Sequence, residues 1–235
     1  MENFEFYSPT RFVFGRGSES KVGDLVRKCG GTRVLLHFGG GSIKTNGIYD
    51  KVVASLDEAG VSYIPLGGVQ PNPRSGLVRE GIALCRREKV DFILAVGGGS
   101  VIDSAKAIAF GTLYDGDFAD FYFGKDVKAV VPVPAALPVG TVLTLAAAGS
   151  EGSGNSVITL EPDMLKRAAT GDALRSVLRR AMRFARCSRC STLSSRTPCR
   201  RIRRPAARWI CLHMWLRDTS PRQRVWRYPT NSAKE

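Results

Sequence analysis

Two short turns carry the residue types best suited to hold an anion. Gly39-Gly40-Gly41-Ser42 and Gly97-Gly98-Gly99-Ser100 each follow a buried-type apolar run and precede a helical one. Glycine lets the backbone come close to a phosphate, and the first N–H groups of the following helix favour its charge. A single turn of this kind is equally well explained as a plain strand–helix connection, whereas two in one sheet point to a dinucleotide. Neither fits the G-x-G-x-x-G fingerprint, because Lys44 and Ile102 stand where the third glycine would be, and no Gly-Lys-Ser/Thr occurs. Asp103 lies in the first turn of the second helix, where a carboxylate is favoured and has the reach to bond a ribose or an amide. An ordinary helix-start acid explains it equally well. His37 sits inside an apolar run and is expected to be a satisfied core residue rather than a catalyst.

Positioning such turns requires strands that deliver them to one edge of a sheet. Before residue 176, strand-like and helix-like patterns alternate. Residues 12–14 read as a short edge strand and 18–29 as a helix with Val22, Leu25 and Val26 on one face. Residues 33–38 (RVLLHF) read as a buried strand, 47–59 as a helix, 61–66 as a strand, 74–88 as a helix and 91–96 (DFILAV) as a strand. Val101, Ile102, Ala105, Ile108 and Ala109 mark another helix face, and 130–133 and 156–160 read as later strands. Repeats of this length imply an α/β fold, a Rossmann-like parallel sheet with helices on both faces, whose chemistry sits at the carboxyl ends of the strands.

Four ordered segments then resemble the iron-containing alcohol dehydrogenase family, in its butanol dehydrogenase-like branch: FGGGSIKTNGIYD (38–50), PNPR (71–74), AVGGGSVIDSAK (95–106) and GTVLTLAAAGSE (140–151). The resemblance runs from about residue 4 to 175. It departs at Ala148, where the family usually has Thr beside Gly-Ser-Glu. It implies NAD(P) as cofactor, with Gly97, Gly98, Gly99 and Ser100 around the pyrophosphate and Asp103 nearby. Gly39, Gly40, Gly41, Ser42, Asn72, Thr141, Thr144 and Lys166 match further cofactor-lining positions. It also implies an alcohol or aldehyde substrate and Fe or Zn in intact relatives, and leaves room for a homodimer. NADPH is favoured over NADH, because the second strand ends Leu36-His37-Phe38-Gly39 without the acid that would bond a ribose 2′-OH. Ser42 and Lys44 stand ready for an extra phosphate.

Composition splits the chain near residue 176. The 235 residues carry a net charge of +14, yet residues 1–175 hold 19 basic and 19 acidic side chains. The excess lies in the last 60 residues, which contain 16 basic side chains against Asp218 and Glu235. All 25 glycines precede that point, while Trp209, Trp215, Trp226 and four of the six cysteines follow it. The expected domains are therefore 1–175, a cofactor-binding α/β unit, and 176–235, an Arg-rich and poorly ordered tail. Three readings of the tail are open. One is a nucleic-acid arm, with arginines on phosphates and tryptophans on bases, which makes a nucleotide-binding domain with a basic tail the alternative function. Another is a zinc site at Cys187, Cys190, Cys199, Cys211 and His213, weakened by having a single C-x-x-C.

The third reading, which we favour, is a shifted reading frame, and the genetic code allows it to be checked. Joining the last base of each codon to the first two of the next forces Asp at Trp209-Ile210 and Val at Met214-Trp215. It restricts His213-Met214 to His or Tyr. The permitted string Asp-Met-Ser-x-His resembles the family's next segment, in which that Asp and His are two of four metal ligands. The translated chain would then carry no catalytic and no metal residues, lack the family's C-terminal all-helical metal domain and be inactive. The acidic N-terminus and the lack of a long apolar run give no sign of a secretory signal or membrane helix, so a soluble, cytoplasmic protein without membrane partners is expected.

Overall fold

The computed structural model describes residues 10–122 and 135–170, and the backbone of 182–185. The strand expected at 130–133 and the remaining tail motifs lie outside the described residues. The described strands are β1 (Arg11–Phe14), β2 (Arg33–Phe38), β3 (Ser62–Leu66), β4 (Phe92–Gly97), β5 (Val139–Leu143), β6 (Asn155–Leu160), β7 (Leu165–Thr170) and β8 (Met182–Ala185). The helices are α1 (Val22–Lys28), the single turn α2 (Ser42–Thr45), α3 (Ile48–Glu58), α4 (Ser75–Arg87) and α5 (Gly99–Leu113).

Six strands make a parallel sheet in the order β1-β8-β5-β4-β2-β3. The inner strands read as continuous apolar runs because both faces are covered, as parallel sheets require. Ile93, Ala95, Val139 and Leu143 face one side and pack with α4 and α5. Val34, Leu36, Phe92, Leu94, Val96 and Val142 face the other and pack with α1 and α3. Helix α3 buries Ile48, Val52 and Leu56, and α4 buries Val78, Ile82 and Cys85, each a stripe at helical spacing. Helix α5 is buried nearly all round, from Val101 to Gly111, because it lies between the sheet, α4 and β6. The crossover after β2 runs on the α3 face and the one after β4 on the α5 face, so the chain reverses direction between these adjacent strands. That is the topological switch point at which open α/β sheets bind ligands.

Two sequence expectations are corrected, and the sheet gains two strands that the sequence pattern does not mark. The helix expected over 18–29 starts as a 3₁₀ turn, Ser18–Lys21, after left-handed Gly17 (φ 70°), and only then becomes α1. The strand at 156–160 does not join the parallel sheet. It is β6, paired antiparallel with β7 in a separate two-stranded sheet, because its alternate residues Ser156 and Ile158 are buried while β7 supplies its ladder. β5, whose apolar run is diluted by Gly140 and Thr141, pairs with β4 from Ile93↔Val139 to Gly97↔Leu143. β8 forms between β1 and β5, in a stretch without strand-like periodicity.

Helices α1 and α3 cross tightly at Gly23. A Cβ there would stand 1.9 Å from the Ser55 carbonyl oxygen and 2.6 Å from the Ala59 Cβ, where α1 meets α3. The Gly23 N–H donates to Ser55 Oγ at 3.0 Å, and that hydroxyl donates on to the Ser20 carbonyl at 2.7 Å. Gly23→Ala is expected to cost roughly 1–3 kcal/mol through overpacking. The same change at Gly40, which faces open space, should stay within about 0.5 kcal/mol. Thermal melts of the two variants check the contrast.

Candidate functional site

β2 and β4 are in register from Val34↔Phe92 to Phe38↔Val96. Their glycine turns therefore leave the sheet side by side at its carboxyl edge. Neighbouring segments pin both: the Thr144 N–H donates to Gly97 O at 3.0 Å, and the Gly68 N–H donates to Gly39 O at 3.0 Å. Packing explains only part of the glycine content. A Cβ on Gly97 would stand 2.5 Å from Val101 Cγ2, so the helix's own first turn requires glycine there. The nearest atoms to a Cβ on Gly98 or Gly99 are Leu145 Cβ at 3.8 Å and Ser150 Cβ at 3.9 Å, and Gly40 and Gly41 meet nothing within 4 Å. These positions keep an approachable backbone that packing alone does not demand. Helix α5 starts from Gly98 in extended geometry with no side-chain cap, so its N-terminus keeps its capacity for an anion.

One and two turns further along α5, Asp103 and Lys106 tie that helix to the segment after β5. Asp103 Oδ1 accepts from Ser150 Oγ, Oδ2 accepts from the Val157 N–H at 3.3 Å, and its carbonyl accepts from Ser156 Oγ at 2.8 Å. Ser156 Oγ also bonds the buried Tyr122 hydroxyl at 2.7 Å. Burial raises the Asp103 pKa, opposed first by the Ser150 hydrogen bond and then by the charge of Lys106. Lys106, 1% exposed, directs its ammonium at Ser150 O (2.6 Å), Asn155 O (2.7 Å), Ser153 O (3.0 Å) and Ser150 Oγ (3.1 Å). The carboxylate expected to reach toward a ribose or amide is thus engaged with the chain's own donors. Lys106 and Ser150 are the residues missed as functional. The sequence signal for them is a charged pair at i and i+3 on one face of an otherwise apolar helix.

Lys166, on β7, donates to Asn72 Oδ1 at 2.8 Å, and its charge acts on Asp103, so Asn72, Asp103 and Lys166 share one neighbourhood. Asn72 holds a left-handed backbone (φ 57°) in the loop that crosses the end of β2. The hairpin bearing Lys166 is clamped on that loop. The Thr159 N–H donates to Pro73 O at 2.8 Å, the Glu161 N–H donates to Ser75 Oγ at 3.0 Å, and Glu161 accepts from the Gly76 N–H at 2.9 Å. Thr144 is half-buried beside Gly97. Thr141 is placed differently: it pairs with Ala95 inside the sheet, buried, and its hydroxyl has no hydrogen-bond partner among the described residues. Ser42 and Lys44 are exposed on α2, and the Lys44 ammonium stands over the Phe38 and Tyr49 rings at 5.5 and 5.4 Å.

His37 is the sealed core residue expected. One ring nitrogen bonds Leu66 O at 3.0 Å and the other Ser104 Oγ at 2.9 Å. No group of three or more His, Cys, Asp or Glu side chains that could hold a metal ion occurs among the described residues, so these residues do not fit the family's iron or zinc.

A parallel α/β sheet with crossovers on both faces is the doubly wound class of α/β domain, in which ligands lie outside the carboxyl ends of the strands at the switch point. The model of the family "Iron-containing alcohol dehydrogenase" matches residues 9–178, and the chain belongs to that family. It is 54% identical over 159 residues to the probable NADH-dependent butanol dehydrogenase 2 of Bacillus subtilis, covering 68% of this chain and 39% of that protein. It is 37% identical over 176 residues to the NADPH-dependent aldehyde reductase YqhD of Escherichia coli, covering 73% and 41%. The crystal structure of NADH-dependent butanol dehydrogenase A from Thermotoga maritima superposes with a TM-score of 0.72 at 44% identity, covering 79% of this chain and 44% of that one. The chain thus spans about two fifths of the length of the curated relatives it matches.

Burial lowers the His37 pKa from 6.5 to about 4. The unfolded chain therefore takes up a proton near pH 6.5 that the folded chain refuses. The stability this histidine contributes is complete above pH 6.5 and is lost as pH falls toward 4, at up to about 1.4 kcal/mol per pH unit. Urea denaturation between pH 7.5 and 4.5 should show this slope, and His37→Gln should flatten it.

Proposed function

We propose that the α/β unit, residues 1–175, is the cofactor half of a metal-assisted alcohol/aldehyde oxidoreductase and binds NAD(P) across the ends of β2 and β4. The observation that carries this is the adjacency of the two glycine turns at the switch point, with open backbone at Gly40, Gly41, Gly98 and Gly99. When bound, the nicotinamide accepts or gives up a hydride. The chain's own part is to bind and orient. The first-turn N–H groups at Gly99 and Ser100 hold the pyrophosphate, Gly39, Gly40, Gly41 and Ser42 take the adenosine side, and Thr144, Asn72 and Lys166 flank the other end. An alcohol or aldehyde substrate, a cytoplasmic setting and a homodimer belong to the same proposal, supported by the kinds of protein the chain resembles.

The rest of the proposal is that residues 176–235 are the out-of-frame continuation of this family's sequence. Support comes from the charge break near residue 176, the codon pairs that restore Asp and His, and a family match that ends at residue 178. On this reading the translated chain keeps the dinucleotide cradle and does not assemble the metal centre. Supplying Fe²⁺ or Zn²⁺ to the pure protein should therefore yield no butanol oxidation above background, and metal-dependent turnover would overturn this part. Resequencing the coding DNA around codon 176 tests the frame directly.

NADPH is the preferred form in this proposal. No acid stands at the end of β2, and Lys44 brings a positive charge beside the turn. The relatives at 44–54% identity are named NADH-dependent and those named for NADPH or NADP are 36–37% identical, so the preference proposed here rests on the residues at the end of β2 and runs against those names. A Cβ on Gly39 would meet Val69 O at 3.5 Å and Val101 Cγ2 at 3.6 Å, so a larger side chain can be introduced without a clash at its root. Gly39→Asp should lower affinity for NADPH relative to NADH by on the order of fivefold, the ~1 kcal/mol of two like charges a few ångströms apart near water. Fluorescence titration of both reduced cofactors checks this. A folded wild-type chain that binds neither at millimolar concentration would end the cofactor-half reading.

A further inference from the structure

We infer that Lys106 is a positioning residue for the pyrophosphate of the bound dinucleotide, acting through the segment at 150–155. This rests on the cofactor reading above and deepens it. The ammonium is buried on α5, two turns past the glycine turn, and its three protons are shared among four oxygens, three of them main-chain carbonyls of Ser150, Ser153 and Asn155. A charge is costly to bury, and a hydrocarbon side chain would pack an apolar helix at less cost. What the charge does here is tie together the carbonyls of the 3₁₀ turn (Ser150), the residue just after it (Ser153) and the first residue of β6 (Asn155). The 3₁₀ turn Ser150–Gly152 begins at left-handed Gly149 (φ 76°) and has no side-chain cap of its own. Lys106 and Asp103 together fix Ser150, one on its carbonyl and hydroxyl, the other on its hydroxyl alone.

The consequence reaches the anion cradle because Ser150 is also its wall. Ser150 Cβ is the nearest atom to where a Cβ on Gly99 would stand, at 3.9 Å. A phosphate settling on the first turn of α5 would lie between Gly99 and this segment. With Lys106 in place the wall is preformed, and one buried positive charge lies behind it. Without Lys106 the Ser150, Ser153 and Asn155 carbonyls lose their shared donor, and the wall must be ordered when the ligand binds, at the expense of affinity.

A purely structural lysine would lower stability and weaken every ligand alike. A positioning lysine weakens ligands according to their phosphates. The test compares ADP-ribose, which carries the pyrophosphate, with adenosine, which does not, on the full chain by saturation-transfer NMR and calorimetry. Lys106→Met should bind ADP-ribose at least tenfold more weakly and adenosine within twofold of wild type. Tyr122→Phe removes a hydroxyl from the far side of the same network and should leave the ADP-ribose affinity unchanged even where it lowers the melting temperature. If Lys106→Met does not fold, Ser150→Ala removes the hydroxyl shared by Lys106 and Asp103 and should show the same selectivity, at a few-fold. Equal losses for both ligands, or no loss for ADP-ribose, would overturn the role of Lys106. Failure of the folded wild-type chain to bind ADP-ribose would instead overturn the cofactor reading, and this inference with it.

Discussion

The carboxyl edge of this protein depends on one charged pair, the half-buried Asp103 and the buried Lys106, set on an otherwise apolar helix. Helix α5 is enclosed by the sheet, α4 and β6, so the Lys106 ammonium is cut off from water and must be satisfied by the chain, and the half-buried Asp103 carboxylate is largely so. The obligation is met by the segment after β5: Ser150, Ser153, Asn155 and Val157 give their polar groups to the pair. Burial needed for the sheet thereby holds the 3₁₀ turn at Ser150, the residue after it and the start of β6 against α5. The same helix delivers the glycine turn at its N-terminus, so one element couples the core of the domain to the wall of its candidate site.

A second tie holds the opposite rim. The β6–β7 hairpin forms a two-stranded sheet of its own among the described residues, and besides its contacts with α5 it is held by the loop at 71–74 and the start of α4, where Glu161 accepts from the Gly76 N–H and Lys166 donates to Asn72. The Pro-Asn-Pro-Arg segment therefore has a mechanical role beyond its place in a family pattern: it is the dock on which the hairpin rests. Arg74 and Glu161 approach to 3.7 Å, an exposed pair that adds little by itself. The N–H groups of Thr159, Glu161 and Gly76 make the hydrogen bonds of this dock, while Ile158 and Ala169 anchor the hairpin in the core beside α5.

Much of the sheet was legible in the sequence because inner parallel strands bury both faces and so appear as unbroken apolar runs: RVLLHF and DFILAV became β2 and β4 almost residue for residue. The glycine turns were legible for the same reason, as interruptions of such runs. β5 was not, because Gly140 and Thr141 dilute its apolar content, and only pairing with β4 makes it a strand. β7 was hidden by Lys166 and Arg167, which suit the half-exposed hairpin it forms. At the site, type and spacing located Gly39, Gly97 and Asp103. They did not reveal that Asp103 is bonded inward or that Thr141 lies inside the sheet, since both depend on which loop folds back over α5. His37 was legible as a core residue because an imidazole within an apolar strand has few other ways to be satisfied.

The central claim is that this chain, whatever follows the α/β unit, retains a dinucleotide cradle where β2 and β4 end. Amide chemical-shift mapping of the intact, isotope-labelled protein on addition of NADPH tests it most directly, because it locates the ligand without requiring turnover. The expected result is perturbation concentrated at 39–42 and 97–102, extending to 149–151, with the α1–α3 face unmoved. Perturbations centred elsewhere, or none at millimolar ligand with a dispersed spectrum, would contradict it.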